Sequence, residues 1–293
     1  MRAGAEVAAL LAVLAAGGLI RSRYERDHFV VEEIRISSPK IKQARNLIFL
    51  TDLHDKEFGA GNCRLLDEII KIKPAAVLIG GDTMVVKPER AKLAVTEGLL
   101  DGLAGLCPVY YGNGNHEQRL RREKKTYGEL YPEFRRLLRR YGVIYLSDAS
   151  ADLGEDIRIS GLNITRNYYR DFIPERMKPE YVQQRLGSSS GERYQILLAH
   201  SPLFFPAYRE WGADLTLAGH FHGGTIRIPG LGGVMTPQYQ FFLPCCAGTF
   251  EKDGRHMIVG RGLGTHSVNI RFCNRPQIVF IRLTPDIRQR GRL

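Results

Sequence analysis

Side chains that can bind metal ions follow five short apolar runs of the sequence. They are Asp52 and His54 after residues 47–50, Asp82 after 76–79, Asn115, His116 and Glu117 after 109–111, His200 after 195–199, and His220 and His222 after 214–218. Oxygen and imidazole ligands without a thiolate favour Mn²⁺, Fe²⁺/³⁺, Zn²⁺ or Co²⁺ over iron–sulfur clusters and structural zinc. The histidine content argues against a pure Ca²⁺ or Mg²⁺ site. The set is large enough for two ions, and two ions ~3.5–4 Å apart form the usual two-metal arrangement for hydrolysis.

Each of these motifs is weak when it stands alone. Asp82 follows two glycines and would also fit a turn or a helix N-cap, and a lone histidine such as His200 is more often a core or surface residue. His220 and His222 are a stronger signal, because they flank one residue in a glycine-bounded turn and can face different ions. The joint occurrence in this order, each at the end of an apolar run, favours one metal site.

The apolar runs are predicted strands, since helical spacing separates them in the first half of the chain. Strands that alternate with helices indicate βαβ units, and sites in such sheets form beyond the carboxyl ends of the strands. Further strands are predicted at 143–146, 157–160, 195–199, 214–218, 257–260, 268–272 and 277–282. The last three lack room for helices and predict hairpins. The sequence therefore predicts an α/β fold, with two mixed β-sheets packed as a sandwich and flanked by helices, in one catalytic domain over residues 45–285.

The five motifs, in this order, resemble the calcineurin-like metallophosphoesterase superfamily. Its pattern is DxH, GD, GNH followed by Asp or Glu, a lone His and GHxH, and here the pattern spans residues 52–222. The resemblance implies a four-layer αββα sandwich with a dinuclear centre. By position it implies one ion held by Asp52, His54 and His222, a second held by Asn115, His200 and His220, and a bridging Asp82.

The resemblance also implies that His116 lies near the phosphate without binding metal, and that Glu117 orients it. We therefore expect a dinuclear metal-dependent phosphoesterase that hydrolyses phosphomono- or phosphodiesters by attack of metal-bound hydroxide. Asp55, which stands where many members have Gly, and the lack of a second acidic residue after Asp82 leave the substrate open. A non-catalytic scaffold with this fold and a nuclease or nucleic-acid-binding protein are the alternatives.

The N-terminus carries a hydrophobic segment over residues 1–24. From Val7 to Ile20 the sequence has 14 uncharged residues, and a helical span takes ~20, with a lower limit near 17. This predicts a signal-anchor helix or a signal-peptide core, and a cell-membrane location with a single N-terminal anchor. The flanking charges leave the sidedness open. The segment and the glycines after His222 look like the membrane-associated bacterial branch of the superfamily, so a lipid or wall precursor is a candidate substrate.

Composition and charge limit the remaining possibilities. The chain has 293 residues, 44% of them hydrophobic, which excludes a disordered or fibrous protein. Its five cysteines show no CxxC spacing and are too few for a disulfide scaffold. The net charge of +11 indicates an anionic partner. The lack of a recognisable binding motif and the predicted membrane segment disfavour nucleic acid. The oligomeric state stays open.

The positive charge is concentrated in residues 119–140, which hold nine basic and three acidic side chains. Phe134, Leu137, Leu138 and Tyr141 lie at helical spacing, which predicts an amphipathic helix with a basic outer face. We expect the segment to draw anionic lipid headgroups or phosphate substrates toward the metals. An aromatic and basic cluster, made of Arg166, Tyr168, Tyr169 and Arg170, is predicted either to cover the site or to form a packed surface loop.

Overall fold

Two six-stranded sheets form the framework of the protein, which we describe from a computed structural model over residues 2–170, 175–265 and 268–286. The helices are α1 Arg2–Asp27, α2 Cys63–Ile72, α3 Ala94–Leu103, α4 Asn115–Arg122, α5 Lys124–Tyr127, α6 Leu130–Arg140, α7 Asn167–Arg170, α8 Pro179–Leu186 and α9 Phe205–Trp211. The strands are β1 Val30–Ser38, β2 Arg45–Leu50, β3 Ala76–Ile79, β4 Val109–Gly112, β5 Ile144–Leu146, β6 Ala149–Leu153, β7 Ile157–Gly161, β8 Tyr194–Leu198, β9 Leu215–Ala218, β10 Arg227–Ile228, β11 Gly232–Gly233, β12 Gly248–Lys252, β13 Arg255–Val259 and β14 Gln277–Pro285.

Both large sheets are mixed, as predicted. The first has the order β1-β14-β2-β3-β4-β5, and only the β14–β2 pair is antiparallel. The second has the order β12-β13-β9-β8-β7-β6, with antiparallel pairs at its two edges. The central strands of each sheet run parallel, so their carboxyl ends meet at one edge.

Alternation along the strands builds the layers. In β2, Leu47 and Phe49 enter a core that the facing residues of the second sheet share, such as Ile196 in β8. Ile48 and Leu50 point to the other face, where helices α2, α3, α4 and α6 cover the sheet. Helices α8 and α9 cover the outer face of the second sheet. Side chains of a strand point to opposite faces in turn, so this pattern produces the αββα sandwich and confirms the predicted fold class.

Several boundaries differ from those predicted. The framework begins before residue 45, because β1 pairs along its whole length with β14. The predicted hairpins among the last three strands are wrong: β13 and β14 lie in different sheets, and residues 268–272 contribute only an isolated bridge between Phe272 and Ile226. The extent of the catalytic domain stays a prediction.

Helix α1 corrects the predicted location. No helix in the described part of the chain is long and apolar enough to cross a membrane. The uncharged stretch of α1, Val7 to Ile20, has 14 residues, fewer than the ~20 of a bilayer span. The prediction of a cell-membrane location with a single N-terminal anchor is therefore wrong. The last turns of α1 instead pack on the sandwich, where Ser22 and Glu25 are buried.

Helix α6 is amphipathic, as the spacing of its residues predicts. Phe134, Leu137 and Leu138 are buried against the first sheet, while Arg136 and Arg139 are exposed. The basic outer face of α6 is thus a feature of the folded protein.

Candidate metal centre

The metal-competent side chains come from loops at the carboxyl ends of five parallel strands. Asp52 follows β2, Asp82 follows β3, Asn115 begins α4 after β4, His200 follows β8 and His220 follows β9. These five strands belong to both sheets, which meet along this edge. The fold therefore brings residues from 52 to 222 into one cleft, as the sequence motifs require.

Hydrogen bonds donated by backbone amides fix the loops against each other. The amide of Asp52 donates to the carbonyl of Gly81 at 3.0 Å, and that of His54 donates to the carbonyl of Asp82 at 3.1 Å. The amide of His220 donates to the carboxylate of Asp52 at 3.1 Å. These bonds connect three of the five loops directly, so the side chains are positioned before any ligand arrives.

Five of the candidate residues have a left-handed backbone: Asp52, His54, Asp82, His220 and His222, with φ between 45° and 69°. Aspartate and histidine are among the residues that tolerate this region, but it still costs free energy. Clustering of such conformations at one place is typical of a functional site, where surrounding bonds hold the strained backbone.

Asp52, His54 and His222 form a first group of candidate ligands, with ligand atoms within 4.8 Å of one another. The Nε2 atoms of His54 and His222 are 3.1 Å apart. The Oδ1 atom of Asp52 lies 3.3 Å from His222 Nε2 and 3.8 Å from His54 Nε2. At these separations the three side chains can bind the same ion.

Asp82, His200 and His220 form a second group with the same spread. Asp82 Oδ2 lies 3.1 Å from His200 Nε2 and 3.8 Å from His54 Nε2 of the first group. The carboxylate of Asp82 thus lies between the two groups.

The outer nitrogens of the imidazoles are held by protein acceptors. Nδ1 of His200 is 2.8 Å from the carbonyl of Gly80, and Nδ1 of His222 is 3.2 Å from the carbonyl of Gly264. Nε2 of His220 is 3.2 Å from Oε1 of Gln238. An acceptor on one ring nitrogen places the proton there and leaves the other nitrogen as a ligand. His200 and His222 therefore present Nε2, and His220 presents Nδ1.

The hydrogen bond to His116 runs in the opposite direction, because here the protein is the donor. The backbone N–H of Val86 donates to His116 Nδ1 at 2.7 Å, which uses the lone pair of that nitrogen. The neutral ring then carries its proton on Nε2 and has no lone pair for an ion. Although His116 lies within 4.8 Å of His54 and Asp82, this bond favours a proton donor over a ligand.

Glu117 is buried in the loops rather than in the cleft. Its carboxylate accepts bonds from the amides of Asp82, Thr83 and Gly114 and from the hydroxyl of Tyr111, at 2.7 to 3.1 Å. Four donors match the four lone-pair sites of a carboxylate. Glu117 thus connects the ends of β3 and β4. The resemblance implied that Glu117 orients the His116 ring, but the hydrogen bond to Nδ1 of that ring comes from the backbone of Val86.

The charges of the site shift the pKa of its groups in opposite directions. Burial opposes ionisation of Asp52, but the imidazoles of His222 and His200 lower its pKa below the usual range. Burial would likewise lower the pKa of His200, yet the carboxylates of Asp82 and Asp52 raise it to about 10. The protein without ions therefore balances two carboxylates with imidazolium, and an ion would replace these protons.

Asn115 tests whether the residues fit a metal ion. Its Oδ1 atom is shielded from solvent and has no hydrogen-bond partner among the described residues. A buried carbonyl oxygen without a donor is unfavourable by about 1–3 kcal/mol. A cation would satisfy this oxygen, and with carboxylate and imidazole neighbours the donor set suits a transition-metal ion. The candidate ligands therefore fit a transition-metal ion.

The structure adds residues that sequence reasoning missed. The side-chain amide of Asn274 donates to the carbonyl of His222 at 2.7 Å, and the carboxylate of Glu25 accepts from the amide of Asn274 at 2.8 Å. Arg271 is fully buried and donates to the carbonyl of Gly262. In the sequence, the glycine run 260–264 was the signal that this loop approaches the site. A side chain at Gly262 would collide with Asp52, because its Cβ would lie 2.8 Å from the Cβ of Asp52.

The residues of the aromatic and basic cluster lie in different environments in the folded protein. Tyr168 is buried against α8 and α9, as a packed loop would be. Tyr169 faces the cleft, with its ring centroid 5.0 Å from that of His220, and Gln238 donates to its carbonyl. Arg166 lines a cavity next to the centre. The side chain of Arg170 lies outside the described residues.

Comparison with known proteins agrees with this geometry. The sequence profile of the calcineurin-like phosphoesterase family matches residues 45–224. The uncharacterized metallophosphoesterase YkuE of Bacillus subtilis is 32% identical over 105 residues, which is 36% of each chain. The phosphodiesterase YaeI of Escherichia coli is 26% identical over 242 residues, or 81% of each chain. The UDP-2,3-diacylglucosamine pyrophosphatase LpxG of Chlamydia trachomatis is 27% identical over 52% of this chain and 44% of its own.

The protein belongs to the calcineurin-like phosphoesterase family. The predicted superfamily and the prediction of a phosphoester hydrolase are confirmed. The family and the ligand groups support metal binding, while the ion and the roles of single residues stay predictions.

Proposed function

We propose that the protein hydrolyses phosphodiester bonds at a dinuclear metal centre. Asp52, His54 and His222 would hold one ion, Asn115, His200 and His220 would hold the second, and Asp82 would contact both. The observation that carries this proposal is the convergence of six of these donors at one sheet edge, next to the shielded Oδ1 of Asn115, for which the described residues provide no donor. Two such ions supply Lewis-acid activation of water and offset phosphate charge when bound.

The chain itself supplies a hydrogen-bond donor. The bond from Val86 places the proton of His116 on Nε2, and this N–H can donate a hydrogen bond to a phosphoryl oxygen, which would stabilise the charge that develops there. The ring of His54 packs edge-on against His116 with centroids 4.9 Å apart, which limits its rotation. His116 is thus a candidate catalytic residue, and Glu117 is a positioning residue that acts through the loops.

Two observations support a diester in place of a monoester. The Escherichia coli relative is named a phosphodiesterase and matches most of this chain. A cavity of about 240 Å³ borders Asn115 and His220, which gives room for a second substituent on the phosphate. A lipid or wall precursor as the substrate is supported only by the name of the chlamydial relative.

Reconstitution with single metals tests the proposal. The metal-free protein would be loaded with Mn²⁺, Zn²⁺, Fe²⁺ or Co²⁺ and assayed with p-nitrophenyl phosphate and bis-p-nitrophenyl phosphate. We expect hydrolysis, with a higher kcat/KM for the diester. No hydrolysis with any of the metals would contradict the proposed function.

Two variants separate metal binding from stabilisation of the phosphoryl oxygens. His116→Ala should retain two ions per chain, measured by elemental analysis, and lose about 10²- to 10³-fold in kcat. Asp82→Ala should lose bound metal. His256→Ala is the matched control, because His256 lies on β13 outside both ligand groups. Normal turnover by His116→Ala would disprove its role while leaving the metal ligands untested by that variant.

A further inference from the structure

A basic cavity continues outward from the metal centre. Its volume is about 240 Å³, and the candidate ligands Asn115 and His220 form part of its wall. Arg119, Arg122 and Arg166 line the rest together with uncharged side chains. Among the described residues, no carboxylate lines this cavity.

Two of these arginines, Arg119 and Arg122, lie on the helix that begins with a candidate ligand. Asn115, Arg119 and Arg122 are at positions i, i+4 and i+7 of α4, so they share one face. One helical turn separates the first two, about 5.4 Å along the axis. Helix α4 therefore carries a strip that begins at the candidate metal ligand and continues as guanidinium groups.

A wider cavity of about 580 Å³ shares Arg122 and Arg166 with the first and adds Arg121 and Arg185. The acidic side chain on its wall is Asp148, which is paired with Arg185 at 2.7 Å. The positive charge therefore extends away from the centre. The carboxylate of Glu123 pairs with Arg122 at 2.7 Å in a solvent-exposed contact, and Glu123 lines neither cavity.

Two shielded polar atoms in the inner cavity also lack protein partners. They are Nε2 of Gln118 and the hydroxyl of Tyr169, for which the described residues provide no hydrogen bond. Both groups can donate to a phosphoryl oxygen. A site that pairs guanidinium groups with unused neutral donors has the chemistry of an oxyanion pocket.

We propose that the inner cavity, lined by Arg119, Arg122 and Arg166, binds a second phosphoryl group of the substrate, next to the one that is hydrolysed. The proposal rests on the proposed function, since it takes the metal centre to bind the scissile phosphate. It defines the substrate class as diphosphate diesters, in which two phosphoryl groups are neighbours. Water would add to the phosphorus at the metal centre, the P–O–P bridge would break in place of a bond to an alkoxide, and the second phosphoryl group would leave as a phosphomonoester. Arg122 and Arg166 then determine specificity, because a substrate with one phosphoryl group has nothing to bind to these two guanidinium groups, and a second phosphoryl group would replace the exposed pairing of Arg122 with Glu123.

Binding of a diphosphate analogue tests the site without turnover. Imidodiphosphate and inorganic phosphate would be titrated calorimetrically into the metal-free and the Mn²⁺-loaded protein. We expect imidodiphosphate to bind at least tenfold more tightly than phosphate in both forms. The double variant Arg122→Gln/Arg166→Gln should weaken imidodiphosphate binding tenfold or more, since each lost guanidinium removes a charge-assisted bond. Arg119 is left unchanged because it also bonds the carbonyl of Val86.

The control is Arg136→Gln/Arg139→Gln, which removes the same charge from the exposed face of α6. Kinetics provide the second measurement, with diadenosine 5′,5′-diphosphate compared to the p-nitrophenyl ester of thymidine 5′-monophosphate. The Arg122/Arg166 variant should lose at least tenfold in kcat/KM on the first substrate and less than threefold on the second.

The outcomes separate the two proposals. Equal binding of imidodiphosphate and phosphate, equal losses on both substrates, or an equal effect of the α6 control would overturn the second-phosphoryl site. Selective imidodiphosphate binding that depends on Arg122 and Arg166, without hydrolysis under any metal, would overturn the proposed function and retain the diphosphate-binding cavity.

Discussion

The contact between α1 and the loop below His222 gives the most informative stability prediction. Glu25 is fully buried, and its carboxylate accepts bonds from the amides of Cys273 at 3.1 Å and Asn274 at 2.8 Å. The side chain of Asn274 then donates to the carbonyl of His222. A residue of the N-terminal helix therefore holds the backbone of a candidate metal ligand.

The magnitude follows from the bonds that are lost. Each bond to a charged group contributes about 1.5–3 kcal/mol, so Glu25→Ala should lower the free energy of unfolding by about 3–6 kcal/mol. Glu25→Gln keeps one acceptor oxygen and should cost about half as much. Because Asn274 would lose its support, the metal affinity should also fall by about 10- to 100-fold, as for other groups that orient a ligand.

Urea unfolding of the metal-free protein and a metal titration are the assays. Arg21→Ala is the control, since Arg21 bonds the same carboxylate from an exposed position and should cost at most about 1 kcal/mol. A Glu25→Ala protein whose unfolding free energy and metal affinity match those of Arg21→Ala would refute this reasoning. Such a result would mean that α1 rests on the sandwich without supporting the metal centre.

Three further predictions concern charge and close packing. Asp156→Ala should lower the free energy of unfolding by about 3–5 kcal/mol in a denaturant titration, because it leaves the buried Arg45 without the carboxylate that it contacts at 2.8 Å. Burial would raise the pKa of Asp156, but the bonds from Arg45 and a backbone amide lower it in the folded protein. This stabilisation is therefore present above pH ~3.9, the pKa of an unfolded aspartate, and is lost as the pH falls through the lower pKa of the folded state. A free energy of unfolding that does not change with pH in this acid range would contradict the prediction. With a pKa of about 10, His200 is protonated at pH 8, so metal binding should release protons and strengthen as the pH rises toward 10; calorimetry in buffers of different ionisation enthalpy checks this, and equal heats would oppose it. Gly219→Ala should abolish metal binding, since its Cβ would lie 2.2 Å from Oδ2 of Asp52, and retention of two ions by elemental analysis would show that the loop can move.

The sequence indicated much of the candidate site because each candidate ligand directly follows a recognisable apolar run. Asp52, Asp82 and His200 each follow an apolar run, and a strand end can be recognised from a few neighbouring residues. The alternation of runs and helical spacing also indicated which ends would meet, since parallel strands share one edge. These inferences need only short-range pattern and the general geometry of α/β sheets.

The N-terminal helix shows where local pattern fails. Fourteen uncharged residues resemble a membrane segment, and the fate of their helix depends on residues far along the chain. Ser22 accepts from the amide of Arg271, and Glu25 bonds the neighbouring loop, contacts that span about 250 positions. No window of sequence contains both partners.

The sequence alone determined the chemical class of the protein: the donor types, their order and the strand ends on which they lie. Only the tertiary structure decided which partner each side chain has there. It gave Nδ1 of His116 a backbone donor, used Glu117 to bond three amides and a hydroxyl, and aligned Arg119 and Arg122 with Asn115 along one helix face. The physical reason is that a residue type limits the bonds a side chain can form, while the partner that completes each bond comes from the packing of distant segments.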